Sequence, residues 1–284
     1  MHKKGDFQFN WIFVLVAGSL FLFFFISFGV KYKDFQEKKI SIEVIKNFDN
    51  TLTALQSSSF KTFDTLNLPV IVSSRCGKLN IGEKEIETNN IIFSDKKLQN
   101  KILIWYEPYK MPFKITSFYY LVPDASKYYL VDNSGDFSSE ILDGMPEDIR
   151  KKFKVIRSDE IKNNDKLIIL NGNKIGNSVL INGNIDEGFV NINNNIYPYV
   201  GKELLYGAIF SEDYACLLNK IQTETGNIGI IYKEKISVIR TVNCDYTALT
   251  NKISSLQSKL DFKTANDADR ENSRLIGEGC VGVF

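Results

Sequence analysis

Trp11 to Val30 reads WIFVLVAGSLFLFFFISFGV, an apolar run without a single Asp, Glu, Lys or Arg. About 20 such residues in a helix cover a hydrocarbon core of roughly 30 Å. A buried core helix is the competing reading, and it fails on the circumference. Phe21, Phe23, Phe24 and Phe25 would point in every direction and leave no polar face for water. Residues 11–30 are therefore expected to form one transmembrane helix in contact with the lipid bilayer, with 1–10 as a short cytoplasmic tail.

The helix is expected to continue. From Lys31 to Ser57, Ile42, Ile45, Phe48, Leu52 and Leu55 recur at three- and four-residue intervals, while Lys39, Glu43, Lys46 and Asn50 fall off that stripe. Residues 31–60 thus read as a juxtamembrane amphipathic helix. Its stripe would dock on the chain's own domain, or pack against other copies or other membrane or surface proteins. About two heptads are too few to require a coiled coil.

Composition narrows the rest. Lys and Arg number 35 against 34 Asp and Glu, so the basic excess that nucleic acid demands is missing. The one histidine is His2, in the tail, which removes Ser-His-Asp, Cys-His and His-ligated metal sites from the large domain. No cofactor or metal site stands out: Asn184, Asp186 and Glu187 lack the spacing of a calcium loop. Cys76, Cys216, Cys244 and Cys280 all lie on one side of the anchor, and none sits in a C-x-x-C pair. Four dispersed cysteines beyond a membrane helix suggest two disulfides and an oxidising exterior, the alternative being four unrelated buried thiols. The lysines flanking the helix slightly favour the opposite orientation, but large domains translocate with little regard to charge. The expected localisation is the plasma membrane, single-pass, with the bulk of the chain outside the cytoplasm.

Along that bulk, 61–210 reads as a mixed α/β sheet domain. Pro69 to Ser73, Ile91 to Ser94, Lys101 to Tyr106, Ile115 to Val122 and Lys127 to Asp132 are β-branched or aromatic runs between turn residues. Between two of them, Trp105, Tyr106, Tyr109 and Phe113 are expected in an aromatic loop, read either as an interaction surface or as a cap on a sheet edge. Tyr128 to Leu170 has βαβ spacing, its helix interrupted at Gly144 and Pro146. Asp132 and Ser134 end a strand where α/β proteins place ligands, yet Gly135 alone makes a poor phosphate loop. Asn171-Gly172-Asn173, Asn182-Gly183-Asn184 and Asn193-Asn194-Asn195 are expected hairpin turns.

Residues 211–262 read as a helical hairpin region, with Ser211 as N-cap, a break at Gly226 to Gly229, and Asp245 capping a further helix. If Ile230 to Val242 is helical rather than a strand, the chain returns and brings Cys244 beside Cys216, closing a loop worth about 3 to 4 kcal/mol. Cys76 and Cys280 would then pair with each other, the alternative being a bridge to another chain. Residues 263–284 read as a C-terminal tail closing on the domain, polar and loop-like to Arg274. The fold class expected is α+β, a mixed extracytoplasmic domain behind one membrane helix that runs on into an amphipathic one.

Phe9-Asn10-Trp11-Ile12-Phe13-Val14-Leu15-Val16-Ala17-Gly18, with Gln56-Ser57-Ser58-Ser59-Phe60-Lys61-Thr62 one long helix later, resembles a group of uncharacterised archaeal single-pass membrane proteins. The likeness continues through Tyr128 to Val131, Gly207 to Phe210 and Asp213 to Cys216, and it implies an anchored domain with paired cysteines and no known activity. A shorter resemblance lies in Lys3-Lys4-Gly5-Asp6, which is similar to the processing site of archaeal type IV pilin precursors, where the cut precedes a retained apolar helix. Asn10 stands where many pilins carry Glu.

The expected function is a membrane-anchored, non-catalytic protein with a structural or binding role in the cell envelope. One alternative is a minor pilin-like subunit processed after Gly5. Another is a carboxylate-dependent enzyme, for which Asp159 with Glu160 and Asp186 with Glu187 are the candidate pairs.

Overall fold

A computed structural model describes residues 5–58, 62–82, 84–86, 90–133, 135–161, 166–239 and 244–284, side chains of 5–10 excepted. Lys3, Lys4 and Ser134 lie outside these residues. Helix α1 (Gly5–Ser57) is continuous, so membrane-type and amphipathic segments are one rod, about 80 Å long at 1.5 Å per residue. Its apolar half is long and apolar enough to cross a membrane and is buried nowhere in the protein.

The second half of α1 is built into the domain. Strands β1 (Phe63–Arg75), β2 (Lys78–Ile81), β3 (Lys84–Ile86), β4 (Ile91–Ser94), β5 (Lys97–Lys110) and β6 (Lys114–Pro123) form one sheet in the order β3-β2-β1-β5-β6-β4. Val44, Phe48, Leu52 and Leu55 pack on it, against Leu68, Val72, Ile102, Ile104, Tyr119 and Leu121. The Tyr119 hydroxyl donates to the Leu52 carbonyl at 3.0 Å. Burying four such side chains is worth roughly 6 to 12 kcal/mol gross. Of the two options for the stripe, docking on the chain's own domain is the one observed. Its membership shifts, however: Val44 joins it, and Ile42 points outward.

The second sheet comprises β7 (Tyr128–Val131), β8 (Phe153–Ile156), β9 (Leu167–Leu170), β10 (Val179–Gly183), β11 (Glu187–Ile192) and β12 (Asn195–Val200), in the order β12-β11-β10-β9-β7-β8. The expected βαβ unit is present. β7 pairs in parallel with both β8 and β9, and its crossover is split into α2 (Asp136–Asp143) and α3 (Glu147–Arg150) around Gly144 and Pro146. Asn193 and Asn194 both take positive φ, 51° and 64°, in the β11–β12 hairpin turn. Asn184 Oδ1 accepts from the backbone N–H of Asp186 and Glu187 in the turn before β11. Asn171 differs from expectation: it joins parallel strands, β9 and β10, instead of making a hairpin. Its carboxamide exchanges two hydrogen bonds with the backbone of Gly183.

Helix α4 (Lys202–Phe210) lies between the sheets, followed by α5 (Tyr214–Ile239), α6 (Thr247–Ser258) and α7 (Phe262–Gly277). All contribute to one core with the inner faces of both sheets. Three expectations are corrected here. Gly226 to Gly229 does not break α5. These glycines let α6 approach, since a Cβ on Gly229 would stand 2.7 Å from Gln257 Cγ, and Gln257 Nε2 donates to the Gly226 carbonyl. Ser211 follows α4, its Oγ accepting from Asp213 N, and α5 starts three residues later. The polar stretch 263–274 is helical, not a loop. Asp261 caps α7 by accepting from Thr264 N at 2.7 Å, and Asn272 clamps the C-terminal segment through Val283 N and the Phe284 carbonyl.

The four cysteines are paired, but not as the helical-return reading has it. The bridges are Cys76–Cys216 and Cys244–Cys280. Because α5 runs straight through its glycines, Cys216 stays at the sheet, beside the β1–β2 turn, where Cys76 N donates to Asp213 Oδ2 at 2.9 Å. Cys244, at the far end of α5, meets the C-terminus instead.

Candidate functional site at the junction of the two sheets

The β4–β5 turn of the first sheet carries Asp95, and the residue before β9 of the second is Lys166. The Lys166 ammonium donates to Asp95 Oδ2 and lies 3.4 Å from the Tyr128 hydroxyl and 4.9 Å from the centre of its ring. Both charged side chains are mostly covered, 17% exposed for Asp95 and 28% for Lys166. Burial raises the Asp95 carboxyl above its ordinary range in spite of Lys166, which pulls the other way. Burial also holds the Tyr128 hydroxyl well above the ordinary phenol value.

This pair forms a wall shared by two cavities. The larger, about 440 Å³, is lined by Lys97, Gln99, Asn100, Pro123, Ser126, Lys127 and Tyr129 besides the pair. The smaller, about 240 Å³, reaches Asn177, Ile192 and the end of α4 at Phe210 to Glu212. The larger cavity presents three ammonium groups against one carboxylate, an arrangement suited to holding a small anionic or hydroxylated ligand. The pair satisfies itself, and the hydroxyl-bearing Ser126 and Ser211 also line these walls, the first on the larger cavity and the second on the smaller.

The residues singled out from the sequence are elsewhere. The stretch expected as an aromatic loop is the β5–β6 hairpin, and its side chains are core: Trp105 1%, Tyr106 8%, Tyr109 0% and Phe113 2% exposed. Trp105 packs on Tyr120 and Tyr206 with ring centres 4.7 and 4.9 Å apart and donates through Nε1 to Glu107. The Tyr109 hydroxyl donates to the Val200 carbonyl, and Phe113 packs on Tyr232 with its ring tilted by 34°. An interaction surface at these four residues is therefore corrected: such side chains bury 150 to 250 Å² each, and the cover comes from α4 and the second sheet for Trp105 and Tyr109, from α5 and the C-terminus for Phe113, and from the α1 side of the first sheet for Tyr106.

The acidic pairs serve turns. Glu160 accepts from Arg157 N, and Asp186 and Glu187 donate backbone N–H groups to Asn184. Asp132 is committed too, accepting from Ser138 N at 2.7 Å and so filling the start of α2. Among the described residues no group of three or more His, Cys, Asp or Glu side chains gathers as metal ligands.

Sequence reasoning missed Asp95 with Lys166, 71 residues apart, and a second covered pair, Glu107 and Glu203. Burial raises both glutamates and each is only partly offset by Lys202. A signal existed for Glu107, a lone charge inside the run Ile102 to Tyr109. None existed for the Asp95–Lys166 contact, which only the meeting of the two sheets creates. No protein-family model, curated protein or solved structure matches the chain.

Proposed function

We propose that the protein is a membrane-anchored extracytoplasmic domain with a binding or structural role in the cell envelope and no catalytic role. The observation that carries this reading is α1: one unbroken helix with an apolar half exposed on every side and a second half docked along one face on the domain. Lipid is the solvent in which the first half is stable. Two disulfides support placement in an oxidising exterior. The self-satisfied Asp95–Lys166 pair and the turn-bound acidic pairs support binding over catalysis. The test is protease access in intact cells, combined with alkaline carbonate extraction of membranes. A domain reached from outside and a chain that stays with the membrane are expected; a domain protected in intact cells and digested only after lysis overturns the reading.

The same helix favours a second reading, a pilin-like subunit. Its apolar half, exposed on every side, could pack among like helices. The mass of the mature chain separates the two. A chain starting at Asp6 supports processing, and one retaining residues 1–5 removes it.

A further inference from the structure

Helix α1 carries a second apolar line that the domain does not use. Phe28, Tyr32, Phe35 and Ile42 are 60, 56, 64 and 52% exposed. With Lys39 they follow intervals of four, three, four and three residues. At about 100° per residue this line is centred almost opposite the docked face of Val44, Phe48, Leu52 and Leu55. Partners could therefore meet along it without touching the first sheet.

We propose that this line is the seam of a parallel two-helix pair between two copies of the chain. The parallel arrangement rests on the anchored reading, because two helices held in one membrane leave it side by side and in register. The spacing is the alternating pattern of a two-stranded seam, with Lys39 as a single polar core residue of the kind that fixes register at some cost in stability. Charge supports a copy of the same chain as the occupant. Lys38 and Glu43 flank the seam on opposite sides, five residues apart, which in a parallel pair sets Lys38 of each helix against Glu43 of the other. Neither forms an ion pair among the described residues. Lipid does not serve as the cover, since Phe35 and Ile42 stand about 8 and 18 Å beyond Val30 along the helix.

The four native cysteines are all bridged, so one introduced cysteine supplies the free thiol for cross-linking in native membranes. Lys39→Cys and Ile42→Cys are expected to give a disulfide-linked species of twice the chain mass under mild oxidation. Glu37→Cys, at the same height but on the far side, should give about tenfold less, because bridging requires Cα atoms within about 7 Å. Lys38→Glu should weaken cross-linking at Ile42→Cys about fivefold, and adding Glu43→Lys should restore it. Equal cross-linking at all three positions, an adduct with a different protein, or indifference to the charge reversals overturns the proposal. Carbonate extraction of the same membranes keeps the two readings apart. A chain that pellets but does not cross-link removes the seam and leaves the anchor; a chain in the supernatant removes the anchor.

Discussion

The two sheets have equal numbers of strands but unequal cover. The first has strands of up to 14 residues, with α1 on one face and α4 and α5 on the other. The second is made of strands of four to six residues, and its outer face closes over only a small cluster, Val131, Ile156, Ile169 and Leu180. Beyond that cluster Phe189 and Ile196 are left 57 and 67% exposed. The difference teaches which sheet the rest depends on: the one that receives the long helix is clamped from both sides, and the other is closed from one.

Substitutions can break or sharpen that contrast. The largest effect is expected from Cys76→Ser with Cys216→Ser, which removes the covalent tie between the first sheet and α5. The bridge spans 140 residues, and the chain-entropy relation gives about 5 kcal/mol for it against about 4 kcal/mol for Cys244–Cys280, which spans 36. Urea unfolding of the two double variants in detergent should preserve that order; a reversed order would mean the helical layer, not the first sheet, limits stability. Next, Phe48→Ala removes a side chain buried to 1% between α1 and the sheet and should cost about 3 to 5 kcal/mol. Ile169→Ala, in the smaller cluster of the second sheet, should cost about 2 kcal/mol by the same measurement. An equal or greater loss there would erase the asymmetry.

A smaller effect concerns the contact between the sheets. Burial raises Asp95 above its ordinary 3.8, so the folded protein binds that proton more readily than the unfolded chain. Its contribution is greatest below the ordinary value and declines as pH rises through the raised one. Asp95→Asn should therefore remove a fall in stability as pH rises past the ordinary carboxylate value, seen as a flatter dependence of the unfolding midpoint on pH. A variant with an unchanged slope would show that another group, Glu107 or Glu203, sets it. Last, Phe189→Ser on the open face should move stability by no more than about 0.5 kcal/mol.

What could be read from the sequence follows the range of the interactions. The long helix, the split crossover around Gly144 and Pro146 and the Asn193-Asn194 turn are local matters of periodicity and backbone preference, and they are found as expected. The helix over 262–277 was hidden because its inner face is Ala265, Ala268, Asn272 and Leu275, too small and polar to register as a stripe. Gly226 and Gly229 looked like punctuation because the close approach of α6 to α5 is invisible from within α5. Pro108 and Pro112 gave the Trp105 to Phe113 run the look of a loop, while its burial is decided by distant elements: α4 and the second sheet, α5 with the C-terminus, and α1. The cysteine pairing failed with the α5 break on which it depended, and the Asp95–Lys166 contact had no local trace.

A head on a supple tether samples a wide hemisphere above its membrane and can turn any side towards a partner. Here the docked part of α1 leaves no such hinge between Val30 and the domain, and Ser41 Oγ already stands 3.6 Å from where a Cβ on Gly82 would be. Once that helix is held in a bilayer, the domain has a set altitude, and it turns only as the helix turns. Any twist of the buried half about its own axis swings the cavities at Asp95 and Lys166 through the same angle.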